Sequence, residues 1–501
     1  MKNKVTTVHT IIRVSFLSLL FSVLGCDDFL EKPLQGKLTQ ESFPTTEADA
    51  AQATNAIYNI LRDGSYHQGT FPILDIMSDD AYKGSNPTDG ASTVGSYNTF
   101  TYIPTETNIN SWWSVLYKGV RRANVVIEKL PAITMNEATR TRFIGEAKFL
   151  RALFYFDLVR AWGDVPLVTG TSPEINLERN SAGVIYQLIV SDLLGSIDVL
   201  QEKSEQSPND IGRATKGAAK ALLAKVFLFL KDYINAEKYA LEVINSHQYS
   251  LEPNFADANS KQGEFGVESV FEIGAIGFEG IENGGNQYAN VQGVRGTPNR
   301  GWGFNRPSID LINTFEANDP RKDATIIFLG ETLDGVLIQG DGATPDETRD
   351  SNGNLLEMEC YNQKVWTPGI NVPTQFDHNK RLLRYADVLL MAAEVLNETG
   401  KPALALEYLN DVRERARGGN VAILPDVIEI DKNLLRDIIL HERRVELALE
   451  GHRFWDLVRT GKASAVLGPL GFQQNKHELL PISQTEQDLT GNRWPKNPGW
   501  E

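Results

Sequence analysis

The sequence contains only two cysteines in 501 residues, Cys26 and Cys360. A secreted protein of this length that relied on disulfides would usually carry more than one pair, so a disulfide-stabilised fold is not expected. Basic residues are also in deficit, and the formal net charge is -16. Because phosphate backbones bind to clustered lysine and arginine, this charge argues against DNA or RNA as a partner.

Sequence motifs of several enzyme classes are missing as well. The chain has no Gly-x-Ser-x-Gly elbow, no Walker loop and no His-Glu-x-x-His helix. Charged residues interrupt every apolar run after Leu24, so no later segment is predicted to cross a membrane. What remains is a globular chain with 41% hydrophobic residues, which is long enough to bury a large core.

The N-terminus has the pattern of a bacterial lipoprotein signal. Basic residues precede an apolar run, Val14–Leu24, that is too short to span a bilayer, and Gly25 and Cys26 follow it. Leu24-Gly25-Cys26 resembles a lipobox, which predicts removal of residues 1–25 and acylation of Cys26. Each buried acyl methylene contributes about 0.8 kcal/mol to membrane partition, so the lipid would anchor the chain. Cys360 is then single, and we expect it to be a buried or half-buried thiol.

Helical periodicity dominates the rest of the chain. It begins after a candidate N-cap at Thr46 and returns in Trp112–Leu130 and Gly145–Gly163. Two regions rich in glycine, asparagine and aromatic residues break this pattern: Gly64–Asn110, for which we predict an extended functional loop, and Tyr249–Asn379. We expect these two regions to provide the binding surface.

Small residues recur at the spacing of paired antiparallel helices, as in tetratricopeptide repeats. Because small side chains let two helices pack closely, the pattern predicts a divergent helical-repeat scaffold. The positions in the three candidate pairs are Ala224, Phe227 and Ala236; Ala393, Leu396 and Ala405; and Ala152 and Tyr155 with a partner helix in Ser181–Leu200.

Four stretches together resemble the SusD/RagB family of Bacteroidetes lipoproteins. They are "CDDFLEKPLQGKLTQESF" after the lipobox, "GEAKFLRALFYFDLVRAWGDVPLV", the helix "HERRVELALEGHRFWDLVRTGKA", and the tail "LLPISQTEQDLTGN" with "KNPGW". They occur in the family's order and span nearly the whole mature chain.

The resemblance implies a mainly α SusD-like fold in which tetratricopeptide-like helices support an irregular ligand-binding half. It implies a single domain over 26–501: N-terminal helices and binding loops to 130, helical repeats over 131–250, an irregular insertion over 251–379, and a C-terminal repeat and tail over 380–501. It also implies a lipid-anchored protein on the outer face of the outer membrane. That protein would capture oligosaccharides without catalysis and pass them to a SusC-like TonB-dependent transporter.

Sugar binding requires aromatic faces for pyranose rings and polar side chains for hydroxyl groups, and both irregular regions supply them. We place Trp302 first, because an aromatic residue on a loop between glycines is less easily explained as core. Trp112, Trp113, Tyr117, Trp162 and Trp455 fall on helical patterns and are expected to pack. The candidate ligand-binding residues are Tyr82, Tyr97 and Asp80 in the first region and Asn286, Tyr288, Arg300, Trp302 and Phe304 in the second.

A row of carboxylates, Glu442, Glu446 and Glu450, is the strongest pattern in favour of a glycosidase. Neighbouring arginines, Arg443 and Arg453, stand at i,i+3 from members of the row. Ion pairing with them would lower the carboxylate pKa values, whereas the general acid of a glycosidase needs a raised pKa. We therefore predict a structural charge network.

The segment "DSNGN" suggests a metal site at Asp350, Asn352 and Asn354, but a calcium loop needs more carboxylates and a later glycine. A hairpin turn is the favoured interpretation, with bound calcium as the alternative, and no other cofactor is expected. For function, a peptide- or glycoprotein-binding lipoprotein is the first alternative and a glycoside hydrolase the second.

Overall fold

The computed structural model describes residues 43–172, 176–277, 287–367 and 377–500. The signal sequence, Cys26 and Asn286 lie outside these ranges. The helices are α1 Glu47–Tyr58, α2 Gly64–Ile76, α3 Gly95–Asn98, α4 Thr107–Lys129, α5 Glu137–Trp162, α6 Ala182–Ile197, α7 Lys216–Phe229, α8 Tyr233–Ile244, α9 Phe255–Ala258, α10 Gln287–Gln292, α11 Ile309–Thr314, α12 Pro320–Thr325, α13 Tyr385–Glu398, α14 Pro402–Arg417, α15 Lys432–Glu446, α16 Arg453–Arg459, α17 Ala463–Leu467 and α18 Gln484–Leu489.

The strands are short and form two-stranded antiparallel ladders, so the mainly α fold class is confirmed. The pairs are β1 with β5, β2 with β3, β4 with β12, β6 with β11, β7 with β8 and β9 with β10. Their bounds are β1 Ala81–Gly84, β2 Val165–Pro166, β3 Arg179–Asn180, β4 Ser269–Ile273, β5 Phe304–Pro307, β6 Ile326–Phe328, β7 Thr332–Leu333, β8 Val336–Leu337, β9 Glu347–Arg349, β10 Leu355–Met358, β11 Cys360–Asn362 and β12 Lys380–Arg384.

Helix α1 begins where its sequence predicts. The Thr46 hydroxyl accepts a hydrogen bond from the Asp49 amide, and the Asp49 carboxylate accepts one from the Thr46 amide, which together form a capping box. Ala50, Ala53 and Ile57 then lie on one buried face of the helix. That face packs against α4 and α5.

The aromatic residues on the long helices form the core, as expected. Trp112 on α4 and Trp162 on α5 are fully buried, with ring centroids 5.1 Å apart. Trp113 and Trp455 are also buried, and Tyr117 is half-buried. Because α5 is buried around most of its circumference, its apolar residues do not form a single stripe.

The three expected helix pairs pack as neighbours: α5 with α6, α7 with α8 and α13 with α14. The small residues at their contacts are buried, with Ala224 and Ala236 at 1% exposure and Ala393 and Ala405 at 0%. Their classification as tetratricopeptide repeats remains a prediction.

The first irregular region contains more helix than its sequence predicts. Gly64–Ile76 forms α2 instead of an extended loop. The Asp63 carboxylate caps it by accepting from the Ser65 amide, and the C-terminal turn buries Ile73 and Ile76. Tertiary burial here outweighs the low helix propensity of a segment with glycine and proline.

The carboxylates of α15 and the following turn form the predicted charge network, but their partners are distant in sequence. Arg384 at the end of β12 holds Glu450, and Arg415 on α14 holds Glu446 at 2.5 Å. Arg321 of α12 contacts Glu442 at 2.5 Å.

The arginines interleaved with this row pair with carboxylates outside it. The expected i,i+3 pairs, Arg443 with Glu446 and Glu450 with Arg453, are therefore wrong. Arg443 contacts Asp387 at 2.9 Å and Arg453 contacts Asp79 at 2.8 Å. Arg444 of α15 contacts Asp80 at 2.7 Å, and Arg321 of the irregular insertion contacts Glu442, so the network fastens α15 to both irregular regions.

Candidate functional site

The two irregular regions meet in the β1–β5 ladder. Tyr82 pairs with Arg306, and Gly84 pairs with Phe304. The ladder continues outward, because the Ser85 amide donates to the Gly303 carbonyl. Residues that are more than 200 positions apart in the chain therefore share one surface.

The loop that enters β5, residues 293–303 (the Trp302 loop), is fixed by backbone hydrogen bonds. The Trp302 amide donates to the Asn290 carbonyl at 2.9 Å, and the Gly303 amide donates to the Gly293 carbonyl at 3.0 Å. The two arms of the loop approach so closely that a Cβ on Gly301 would lie 2.6 Å from the Gly293 Cα. Only glycine fits at such a contact, so the glycines set the shape of the loop.

This loop exposes an aromatic side chain: Trp302 is 40% exposed. Phe304, two residues later, is half-buried, and the Lys83 ammonium lies 5.8 Å from its ring centroid. The Arg300 guanidinium lies 5.7 Å from the ring centroid of half-buried Trp366. Trp302 is therefore the exposed aromatic ring of this surface, and its neighbours Phe304 and Trp366 are half-buried.

Charged groups brace the Trp302 loop against the first irregular region. Arg295 contacts Asp341 at 2.6 Å and donates to the Ser85 hydroxyl at 2.6 Å. It also pairs with Asp89, and this hydrogen bond lowers the pKa of the Asp89 carboxyl. The loop is thus positioned by side chains as well as by its own backbone.

Three predicted ligand contacts lie in the interior. Tyr97 is 0% exposed and stacks on Tyr102 at 5.1 Å, and Tyr288 is 5% exposed. Asp80 is 1% exposed and accepts a hydrogen bond from Arg444 at 2.7 Å. The burial of these side chains contradicts the expectation of direct ligand contact, because each is used in packing or ion pairing.

Tyr82 is half-buried, and its hydroxyl donates to the Leu356 carbonyl at 2.8 Å. Of the predicted set, the described residues that reach the surface are therefore Tyr82, Arg300, Trp302 and Phe304. Trp366 and Lys83, which lie beside Arg300 and Phe304, were not among the candidates predicted from sequence. Trp366 precedes a Thr-Pro-Gly sequence in the second irregular region, a signal that could have identified it.

The carboxylate row is unsuited to glycoside hydrolysis. Burial alone would raise the pKa of Glu446, but Arg415 and Arg384 lower it to about 2. Asp75 shows the opposite shift, since burial raises its pKa to about 7. Asp75 is 1% exposed, and its carboxylate accepts from the Gly451 amide and the Asn305 side chain, so it is a buried structural group.

The segment around Asp350 forms the turn of the β9–β10 hairpin, as favoured from sequence. The Asp350 carboxylate accepts from the amides of Asn352 and Asn354, both at 2.8 Å. Within the described ranges, no cluster of three or more histidine, cysteine or acidic side chains could hold a metal ion. Among the same residues, no helix combines the length and apolar character needed to cross a membrane.

Comparison with known families covers both halves of the chain. Residues 267–500 match the SusD family, and residues 28–228 match a family described as starch-binding and associating with the outer membrane. SusD-like protein P2 of Formosa agariphila is 30% identical over 97% of this chain and 99% of its own length. The starch-binding protein SusD of Bacteroides thetaiotaomicron is 28% identical over 68% of each chain.

Solved structures agree with this result. A laminarin-binding SusD-like protein superposes with a TM-score of 0.76 at 30% identity and covers 91% of this chain and 100% of its own. Surface glycan-binding protein A from Bacteroides thetaiotaomicron, in complex with laminarihexaose, gives a TM-score of 0.74 at 26% identity, covering 90% of this chain and 100% of its own. The chain therefore belongs to the SusD/RagB family.

Proposed function

We propose that this protein is a cell-surface glycan-binding lipoprotein that captures oligosaccharides at the surface around Trp302. It is anchored in the outer membrane through acylated Cys26 and delivers its ligand to a SusC-like TonB-dependent transporter, without breaking bonds. The observation that carries the proposal is the 40% exposed indole of Trp302 on a loop whose backbone is fixed.

An aromatic ring held in place before the ligand arrives loses little conformational freedom on binding. Its face can stack on the apolar side of a pyranose ring, while polar groups nearby meet the hydroxyls. Arg300 lies on the same loop and Asp89 is joined to it through Arg295, so donors and acceptors flank the ring. This combination of an apolar face and polar flanks fits a sugar.

The burial and ion pairing of the candidate carboxylates support a function without catalysis. Glycosidases need two accessible carboxyl groups across the scissile bond, one of them with a raised pKa. Glu442, Glu446 and Glu450 are buried and paired with cations, and Asp75 is also buried. The relatives also favour a glycan ligand, since one binds laminarin and another was solved with laminarihexaose.

Affinity electrophoresis tests the proposal. The mature chain without its lipid, residues 27–501, is run in native gels cast with laminarin, starch or other polysaccharides, beside Trp302→Ala and Leu489→Ala. Leu489 is 76% exposed and serves as a matched loss of exposed apolar surface. We expect retardation by one polymer, weakened at least about tenfold by Trp302→Ala, as for a binding hot spot, and unchanged by Leu489→Ala.

Other outcomes would overturn the proposal in identifiable ways. If no polysaccharide retards the chain but peptides protect it from proteolysis, the protein is a peptide binder. If reducing ends accumulate from a bound polymer, it is an enzyme. If retardation survives Trp302→Ala unchanged, the ligand binds elsewhere.

A further inference from the structure

A second concave surface lies near the N-terminal end of α2. Two adjoining hollows of about 550 and 490 Å³ share Ile211, Gly212, Arg213, Phe265 and Glu272 in their walls, and together we call them the Phe265 groove. Arg62 in its wall lies just before Asp63, the N-cap of α2. No residue of the Trp302 loop lines either hollow, so the groove is separate from that loop.

One wall of the groove is a row of amide side chains. Gln52 and Asn55 on α1 and Asn59 just after it are exposed at i, i+3 and i+7, which places them on one face of the helix. Asn209 adds a fourth amide to the lining. Each amide offers both a donor and an acceptor and carries no charge, which suits hydroxyl groups.

Phe265 supplies an aromatic ring in an unusual backbone conformation. Its φ is 53°, in the left-handed region, where a bulky residue costs about 1–3 kcal/mol and persists only when its surroundings hold it. The tip of the ring lies between two glycines: a Cβ on Gly212 would lie 2.9 Å from Cε1, and one on Gly274 would lie 3.1 Å from Cζ. The half-buried ring is thus fixed where both hollows meet.

Two of the cations that line the groove, Arg213 and Lys203, are already engaged. Arg213 donates to Glu146 at 2.8 Å and to the Asn55 side chain at 2.6 Å. The Lys203 ammonium donates to the Ser269 carbonyl at 2.8 Å. The groove therefore favours a neutral ligand over an anionic one.

We propose that the Phe265 groove is a second glycan-binding site, which takes a neutral oligosaccharide. The sugar rings lie against Phe265 and the 55% exposed Ile211, and their hydroxyls bond to Gln52, Asn55 and Asn59. The ligand class rests on the proposed function, but the site does not depend on Trp302. Two separate sites on one chain would raise avidity for a polymer over either site alone.

The test is isothermal titration of the mature chain with laminarihexaose, maltohexaose and cellohexaose. The wild type is compared with Trp302→Ala, with the double variant Gln52→Ala/Asn59→Ala, and with the control Gln187→Ala, which removes an exposed amide from α6. Because the substituted side chains are exposed, the thermal midpoints should match the wild type. Ile211→Trp, which fills the groove, is a second groove variant.

We expect two sites per chain in the wild type and in Gln187→Ala, and one site in Trp302→Ala. We also expect one site in either groove variant and no binding when a groove change is combined with Trp302→Ala. A single wild-type site that only Trp302→Ala abolishes would overturn the second site and leave the proposed function intact. A single site that only the groove variants abolish would support the groove and overturn the Trp302 site. No binding of any hexaose by the wild type would overturn both.

Discussion

Arg384 binds Glu450 with two parallel hydrogen bonds, from Nε to Oε2 at 2.8 Å and from Nη2 to Oε1 at 2.9 Å. Both side chains are almost fully buried, at 2% and 4% exposure. The pair joins the end of β12, which pairs with β4 of the irregular insertion, to the turn after α15. Breaking a buried pair leaves one charge without compensation, which is costly in a medium of low polarity.

Replacing Arg384 with Met should lower the free energy of unfolding by about 3–5 kcal/mol, because Lys364 would be the one ion-pair partner left to Glu450 among the described residues. The matched control is Arg349→Met in the exposed β9–β10 hairpin, where Arg349 pairs with Glu347 and the loss should be about 0–1 kcal/mol. Urea unfolding measures both. Equal losses in the two variants would contradict a structural role for the buried network.

Acid should destabilise the fold through Glu446. Its pKa is lowered to about 2 in the folded state, so the unfolded state takes up the proton first. The stabilisation is complete above about pH 4.5 and is lost as the pH falls toward 2, by about 3 kcal/mol in total. Unfolding free energies measured across this range should fall less steeply in Glu446→Gln than in the wild type, and parallel curves would refute the assignment.

Buried histidines should add a second pH dependence at higher pH. Burial, with the nearby charge of Arg381 or Lys225, lowers the pKa values of His378 and His452 to about 3. Between about pH 6.5 and 3 the unfolded state binds protons that the folded state rejects, so stability falls as the pH drops.

The histidine effect is best isolated by comparing variants. Burial raises the pKa of Asp75 to about 7, so this group affects the stability of the fold with the opposite sign. Its contribution to the free energy of unfolding is lost as the pH rises from 3.8 to 7. The thermal midpoint should therefore drop less from pH 7.5 to pH 5 in His452→Gln than in the wild type, or should rise, because the contribution of Asp75 is then less opposed. Substitution of exposed His247 by Gln should leave the difference unchanged, and an equal change in both variants would argue against the buried residue as its source.

Cys360 should be unreactive in the native protein. Its thiol is fully buried, and burial raises its pKa to about 12, so very little thiolate forms near neutral pH. The mature chain from residue 27 should react with a thiol reagent only when urea unfolds it, in step with the loss of helical circular dichroism. Rapid labelling without urea would show that the β11 region opens independently of the fold.

The proposed lipid anchor can be tested by membrane fractionation. Cys26→Ser should leave an unprocessed or soluble protein, because no thiol remains for acylation. The wild type should partition into detergent with the membrane fraction. Membrane association of the variant that detergent reverses would contradict the anchor, and Cys360→Ser, which removes a buried thiol, serves as the control.

Much of the helical architecture could be predicted from the sequence, because periodicity and capping are local. Thr46 with Asp49 starts α1, and the apolar patterns around Trp112 and Trp162 identify the two core helices. The exposed position of Trp302 also followed from local composition, since an aromatic residue between glycines lacks the pattern of a core residue. The family could be recognised from four stretches for the same reason.

Only the tertiary structure decided which charges pair and which aromatic residues face solvent. The sequence places Glu446 beside Arg443, yet its cations come from Arg384, Arg415 and Arg321, because a buried carboxylate is stabilised by whatever the packed elements bring into contact. Tyr97 and Trp302 look alike in their loop sequences, but one is enclosed by packing and the other is held outward by a fixed loop. By itself the sequence determined most of the helices and the family, because their patterns are local; long-range contacts determined which of the candidate side chains lie at the surface.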